Sequence, residues 1–392
     1  MSTSDRLHSL DAVRALALLL GIALHAATSF VPEARADGWP FPDVSTSRAL
    51  DVTQFVIHIF RMTLFFMIAG YFARLAFHRK GWVGFVWDRA KRIGLPLVVG
   101  WIVILPLLFA VMTWSRTQPG VQGFRIPSES PASGVPLIHL WFLYLLLWLC
   151  ALTLMMRGLL ELLDQRGALR AFVDARLRYL VSMCAAPVVF AIPLATSLYL
   201  ADWWFMKIGI PTPERGLIPN VPAVVGYGVA FQFGWAMQRQ ISVLDLLRER
   251  AWAYSLSGVV FTVVAWFMSE PLPRYAVAET SLTFRALYAM IYVIAGWCWS
   301  LGIIGLTVRY LSHTNTGVRY VADASYWMYL AHLPLVWALQ VLVMNWPLHW
   351  SIKFPLIVAA TLAILLTSYR YLVGGTFIGA ALNGARRTAS SA

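Results

Sequence analysis

Charge is what this chain has least of. Only 12% of its 392 residues are Asp, Glu, Lys or Arg, about half the ~25% of an ordinary soluble domain. With 59% hydrophobic residues and a mean hydropathy of +0.68, too little polar sequence exists to clothe an apolar core in a wetted surface. A soluble enzyme, a disordered chain and a nucleic-acid-binding domain are excluded, the last despite a net charge of +13. Cysteine is nearly absent. Cys150, Cys184 and Cys298 lie in apolar stretches with neither CxxC nor metal-ligand spacing, so neither a disulfide framework nor a metal site is expected. A P-loop, a GxSxG elbow, an HExxH pair and a GxGxxG after a strand are all missing. Hydrolase chemistry of the Ser-His-Asp kind therefore has no local support. No internal repeat is found, which removes the inverted-repeat signature of many transporters.

What the chain does have is long apolar runs. A helix of about 20 residues crosses a ~30 Å hydrocarbon core. Ten stretches meet that length, near 10–31, 52–76, 93–113, 136–156, 179–200, 221–238, 252–269, 284–308, 320–344 and 353–373. If the N-terminus is cytoplasmic, the inner connections and termini carry nineteen Lys and Arg against eight in the outer connections, and positive charge favours the inside. The expected fold is an all-α, polytopic transmembrane helical bundle of about ten spans with both termini cytoplasmic. One membrane domain over 1–382 is followed by a short polar tail, 383–392, expected to be disordered. Asp11 and Arg14 interrupt the first apolar run, so it reads as a retained helix and not as a cleaved signal.

Ionisable groups at membrane depth are costly and are the default functional candidates. In the first span Asp11 and Arg14 are three apart and can pair on one face. His25 follows Arg14 by eleven residues, a net rotation of only ~20° over about 16 Å of helix, so all three share a stripe. Neutral imidazole suits a proton acceptor near pH 7; the other reading of His25 is a hydrogen bond to a neighbouring helix. In the second span His58 and Arg61 share a face, and Arg61 lies too deep to reach water easily. It needs an anionic ligand, a carbonyl, or a carboxylate such as Asp11 or Asp51. Arg89, Lys91 and Arg92 cluster before the third span, with Arg89 and Arg92 three apart. A guanidinium pair there is either a topology anchor or a holder of phosphate. His139 and Trp141 open the fourth span. Tyr329 and His332 stand in the ninth, where Pro334 is expected to kink the helix and free carbonyls beside His332.

Five segments carry a resemblance, in this order along the chain: LDAVRALALLLGIALH (10–25), FRMTLFFMIAGYF (60–72), DRAKRIGLP (88–96), HLWFLYLL (139–146) and SYWMYLAHLPL (325–335). Together they resemble the acyltransferase type 3 family of membrane enzymes. The FVIHIFRMTLFFMIAGYF run and the HLWFL segment resemble its glucans biosynthesis protein C branch. The resemblance implies a multi-pass enzyme of the bacterial inner membrane that moves an acyl group from cytoplasmic acyl-CoA to an extracytoplasmic sugar. For that branch it implies succinyl-CoA as donor and an osmoregulated periplasmic glucan as acceptor. By the same likeness His25 matches the catalytic histidine and Arg14 its accompanying arginine. Arg89 and Arg92 match the cytoplasmic Arg-x-x-Arg motif, which with Lys91 would hold the CoA phosphates. On this reading Arg61 or His58 stabilises the developing oxyanion, and Arg14 binds cofactor or tethers Asp11. His139, Trp141 and His332 serve the acceptor, and Asp11 and Tyr329 are structural. Relatives that modify surface polysaccharides carry an added C-terminal esterase-like domain; none is read here, which implies direct transfer by the membrane domain. The reading from a different class is a transporter or flippase of a carbohydrate or anionic solute, with the buried His and Arg as its relay.

Overall fold

A computed structural model describes residues 3–35, 39–119, 121, 134–274, 277–313 and 315–383. The expected tail beyond 383 lies outside the described residues, as does most of the connection 114–135. The described residues are mostly helical: α1 (Thr3–Ala27), α2 (Arg48–Arg89), α3 (Leu95–Ser115), α4 (Trp141–Leu163), α5 (Ala168–Ser182), α6 (Ala186–Leu200), α7 (Val221–Arg239), α8 (Ser242–Ser269), α9 (Leu282–Tyr310), α10 (Thr316–Val343), α11 (Trp350–Ser368) and α12 (Phe377–Asn383). Among the described residues the only β feature is an isolated antiparallel bridge between Pro136 and Arg215.

Among the described residues, seven helical stretches are long and apolar enough to cross a membrane, and an eighth results if α5 and α6, bent by 108°, form one broken span. The chain thus has the helices of a multi-pass membrane protein. The count differs from ten at identifiable places. The stretches 52–76 and 93–113 fall within one helical run, Arg48–Ser115. That run is interrupted at Gly81, whose φ of 67° glycine adopts without steric cost. The stretch 179–200 is the α5–α6 pair, bent beside Cys184 at φ 55°. The stretch 221–238 is α7, which is not among the seven.

The chain forms two compact units. One comprises Met1–Ala17, Phe55–Phe85 and Ser133–Thr314. In it α9 packs on α8 and α6, α7 on α4 and α6, and α5 on α8. Lipid gives helices little hydrophobic reason to associate, so small residues that allow close approach are favoured. A Cβ added to Gly234 would lie 1.7 Å from the Met67 carbonyl oxygen, and one on Gly70 would lie 1.9 Å from that of Phe231. Through this reciprocal pair α2 and α7 touch backbone to backbone. Gly302 against Ser255 and Gly305 against Leu247 bring α8 and α9 together in the same way.

The other unit comprises Leu18–Gln54, Val86–Ala132 and Asn315–Ala392. Here α10 packs on α3 and α11, and α12 rests against α10 and a π-helical turn at Ala90–Gly94. The connection after α1 is bound down by hydrogen bonds. Asp43 and Ser47 N–H groups donate to the Ser29 and Phe30 carbonyls, and Val44 N–H donates to Met344. A buried Lys353 then donates to both carboxylate oxygens of Asp43, at 2.9 and 3.1 Å. Burial pushes the Asp43 carboxyl above the usual carboxylate range, with Lys353 and the Ser45 N–H opposing that shift.

Candidate active site

Two of the sequence-derived candidates meet in the second of these units. The ring of His25, at the end of α1, lies 5.3 Å from that of His332 on α10, centroid to centroid, with planes tilted by 46°. His332 is buried, and its Nδ1 lies 2.7 Å from the Tyr329 carbonyl oxygen and 3.1 Å from that of Met328. A carbonyl only accepts, so Nδ1 carries a proton. Tyr329 thus serves through its carbonyl as well as through its ring, 6.2 Å from the His332 ring. The last carbonyls of a helix have no partner within it. At the end of α1 Gln340 supplies one, its Nε2 donating to the carbonyls of His25 at 2.8 Å and Ala26 at 3.1 Å. The backbone that carries His25 is therefore fixed by the same helix that carries His332.

Arg89, Lys91 and Arg92 surround the π-helical turn at Ala90–Gly94. Such turns occur frequently at functional sites. Both arginines converge on Asp88, Arg89 at 2.5 Å and Arg92 at 3.0 Å, while Lys91 lies 4.7 Å over the Trp87 ring. One carboxylate against three cations leaves the cluster formally positive. The turn has a sequence cause. Pro96 has no N–H for the carbonyl four residues back, which is that of Arg92, and the Tyr326 hydroxyl donates to it instead at 2.5 Å. The DRAKRIGLP and SYWMYLAHLPL segments are thereby joined.

The remaining candidates lie in the first unit. Arg14 and Asp11 form the expected pair at 3.0 Å, each about one-third exposed, and the Arg14 guanidinium lies 5.6 Å from the Phe72 ring centre. His58 and Arg61 share a face of α2, and Arg61 and Arg274 both act electrostatically on His58. Of the two carboxylates weighed as partners of Arg61, Asp11 meets Arg14 at 3.0 Å and Asp51, in the second unit, meets Arg48 at 3.1 Å. His139 is buried and follows Ile138, whose φ of 46° is strained for a β-branched residue. The Leu137 and Ile138 N–H groups both donate to the Glu214 carbonyl, at 2.8 and 3.2 Å, and hold that conformation. Trp141 is in a stack with Tyr227 at 5.6 Å, and Tyr227 stacks on Phe66 at 4.7 Å. Trp141 is therefore mostly covered by protein rings.

Sequence reasoning gave no role to Asp88, Tyr326 or Gln340. Asp88 was legible, since it stands four residues before Arg92. The missing donor at Pro96 was a signal that some hydroxyl or amide must reach the Arg92 carbonyl, without saying which. Gln340 left no signal. Among the described residues, no group of three or more His, Cys, Asp or Glu could hold a metal ion.

Comparison with known proteins gives a consistent result. The family model described as an acyltransferase domain, of the acyltransferase 3 type, matches residues 7–370. The chain is 24% identical to the glucans biosynthesis protein C of Salmonella paratyphi B over 346 residues, 85% of this chain and 83% of that protein. It is 25% identical to the protein of that name from Salmonella agona, with the same coverage. No solved structure matches the chain.

Proposed function

Because the chain belongs to the acyltransferase type 3 family, we propose that it is a membrane-bound O-acyltransferase that moves a succinyl group from cytoplasmic succinyl-CoA to a hydroxyl of a periplasmic glucan, with His25 as general base. The observation that carries this reading is the His25–His332 pair, two imidazoles set together in the unit that also carries the Arg89–Arg92 turn. The glucan acceptor is suggested by the name of the Salmonella relatives. On this reading the protein sits in the bacterial inner membrane with ten spans and both termini cytoplasmic.

The chemistry runs in two steps. His25 takes the proton of an acceptor hydroxyl as its oxygen attacks the thioester carbonyl. The tetrahedral adduct collapses, the carbon–sulfur bond breaks, and the thiolate of CoA recovers the proton from the His25 imidazolium. His332, whose Nδ1–H is held by the Met328 and Tyr329 carbonyls, fixes the imidazole that stands beside His25. Arg89 and Arg92, with Lys91, bind the phosphates of the donor, the planar forks giving two-pronged contacts and the ammonium a point charge. Arg14 is assigned to turnover by resemblance, and Arg61 and His58 by the cost of placing such groups at membrane depth. A transporter reading is not favoured by this family membership.

The test uses purified full-length protein with labelled succinyl-CoA or acetyl-CoA and a β-linked gluco-oligosaccharide. Label is expected to move from succinyl-CoA to sugar, and His25→Ala is expected to abolish transfer while keeping donor binding and melting temperature. Wild-type turnover by that variant removes the base assignment. Transfer from neither donor removes the acyl-CoA reading.

A further inference from the structure

Three arginines and two carboxylates gather in the first unit where α2, α4, α5 and α7 meet. Arg74, Phe77 and His78 share one face of α2, at spacings of three and four, and Trp235, Gln238 and Arg239 share one face of α7 in the same way. The two faces touch. The Phe77 and Trp235 rings lie 5.8 Å apart, and the Arg74 guanidinium donates to the Gln238 amide oxygen. Arg157 of α4 lays its guanidinium 4.6 Å from the Phe77 ring centre and pairs with Glu161 at 2.7 Å. Arg239 pairs with Asp174 of α5. Arg157 and Arg239 both act electrostatically on Arg74, with Asp174 opposing them, and Arg74 and Arg157 act on His78.

Two of the three guanidiniums are thus matched by a carboxylate and the third by a neutral amide. A formal charge of +1 remains, centred on a half-buried Arg74 between like charges, a costly arrangement that a further anion would offset. The cluster is open to one, since the Arg157 and Arg239 side chains keep 28% and 26% of their exposure. Helix α5 gives its depth. It is turned by 108° from α6, and while Leu177 and Val181 are buried, Leu169, Phe172 and Val173 form an exposed apolar stripe, with the Arg176 guanidinium 5.1 Å over the Phe172 ring. An apolar stripe flanked by arginine marks a helix lying along the membrane interface, so the Asp174 that α5 brings to the cluster stands at the level of lipid headgroups. A phosphodiester carries one negative charge, and its oxygens diverge toward donors from several helices, where those of a carboxylate lie in one plane. We propose that Arg74, Arg157 and Arg239 form a site for the phosphate of an anionic phospholipid. A choline headgroup would bring a fourth cation to the three and is disfavoured. This lipid site does not rest on the acyl-transfer reading.

The experiment adds phosphatidylglycerol or phosphatidylcholine to the purified full-length protein in neutral detergent, reading bound lipid by native mass spectrometry and stability by thermal unfolding. Wild type is expected to retain phosphatidylglycerol in preference to phosphatidylcholine and to melt higher with it. Arg74→Gln should bind phosphatidylglycerol about tenfold more weakly or worse, the effect of a lost charge-assisted hydrogen bond. Without lipid it should melt no lower than wild type, because it relieves the crowding of like charges; this separates lost recognition from lost folding. Arg157→Gln, whose Glu161 partner is 41% exposed and stays solvated, reads the same loss should Arg74→Gln unfold. Arg176→Gln, exposed on α5, should bind as wild type. Equal retention of the two lipids by wild type overturns the site, as does undiminished binding by the Arg74 and Arg157 variants. An equal loss in Arg176→Gln overturns it in favour of diffuse attraction. Displacement of the lipid by inorganic phosphate or CoA overturns the lipid as its occupant.

Discussion

Lys353→Met is the sharpest test of how the second unit is held together. The Lys353 side chain is fully buried and that of Asp43 nearly so, and the ammonium also reaches the Met344 carbonyl at 3.4 Å. Methionine fills similar volume but leaves a buried carboxylate without its cation. Removing one partner of a buried pair costs about 3–5 kcal/mol, roughly a hundred- to several-thousand-fold in the folding equilibrium. Adding Asp43→Asn removes the stranded charge while keeping an acceptor for the Ser45 N–H, which bonds the Asp43 carboxylate at 2.7 Å. The double variant should recover at least about 2 kcal/mol of the loss, since replacing both charges is often neutral. The pH dependence has a definite sign. Burial already raises the folded-state pKa of Asp43 above 3.8, and losing Lys353 raises it further. A raised folded-state pKa means that the stability is present below 3.8 and lost as pH rises through the folded-state value. The single variant should therefore be worst at neutral pH, and its gap from wild type should narrow on acidification. Denaturant titrations in mild detergent, followed by circular dichroism across pH, measure all three quantities. A loss below about 1 kcal/mol for the single variant, or a gap that widens in acid, would refute the reasoning.

Arg89→Gln with Arg92→Gln should raise the Michaelis constant for acyl-CoA about tenfold or more, the effect expected of lost charge-assisted hydrogen bonds, with turnover at saturation affected less. Added salt should raise that constant in wild type and leave the double variant nearly insensitive; an unchanged constant in the double variant removes the phosphate role. Gly234→Ala should destabilise by about 1–3 kcal/mol or more, because its Cβ would meet a backbone oxygen. Gly375→Ala, with nothing within 4 Å, is the neutral control in the same unfolding titration. Asp164 accepts the N–H groups of Arg170 and Leu169 and the Arg170 guanidinium, which hold its carboxyl below the usual range. Its contribution is present above 3.8 and lost as pH falls below it. Asp164→Asn should thus lower the melting temperature at pH 7 and converge with wild type in acid.

How far the fold could be read from sequence depended on whether its cause was local. The apolar runs at 284–308 and 320–344 became α9 and α10, because run length and helical spacing are carried by neighbouring residues. The run at 221–238 became a helix too, α7, but its glycines lowered its apolarity and served instead to bring α2 and α7 into contact. The bend between α5 and α6 left no sign in the hydropathy of 179–200. Hydropathy reports transfer into lipid, and it is silent on where a helix turns within it.

The same division runs through the candidate site. Sequence by itself determined the membrane class, the helical content and the pairs whose members lie within one turn: Asp11 with Arg14, and Arg89 with Arg92. Helical periodicity alone places such residues on one face. Only the tertiary structure brought His332 to His25, set Gln340 on the end of α1 across 315 residues of sequence, and joined Lys353 to Asp43 across 310. In a membrane, nearly every helix is apolar enough to lie beside any other. The partners are chosen by close packing and by the few polar groups that must find each other away from water, and no local pattern in the chain records that choice.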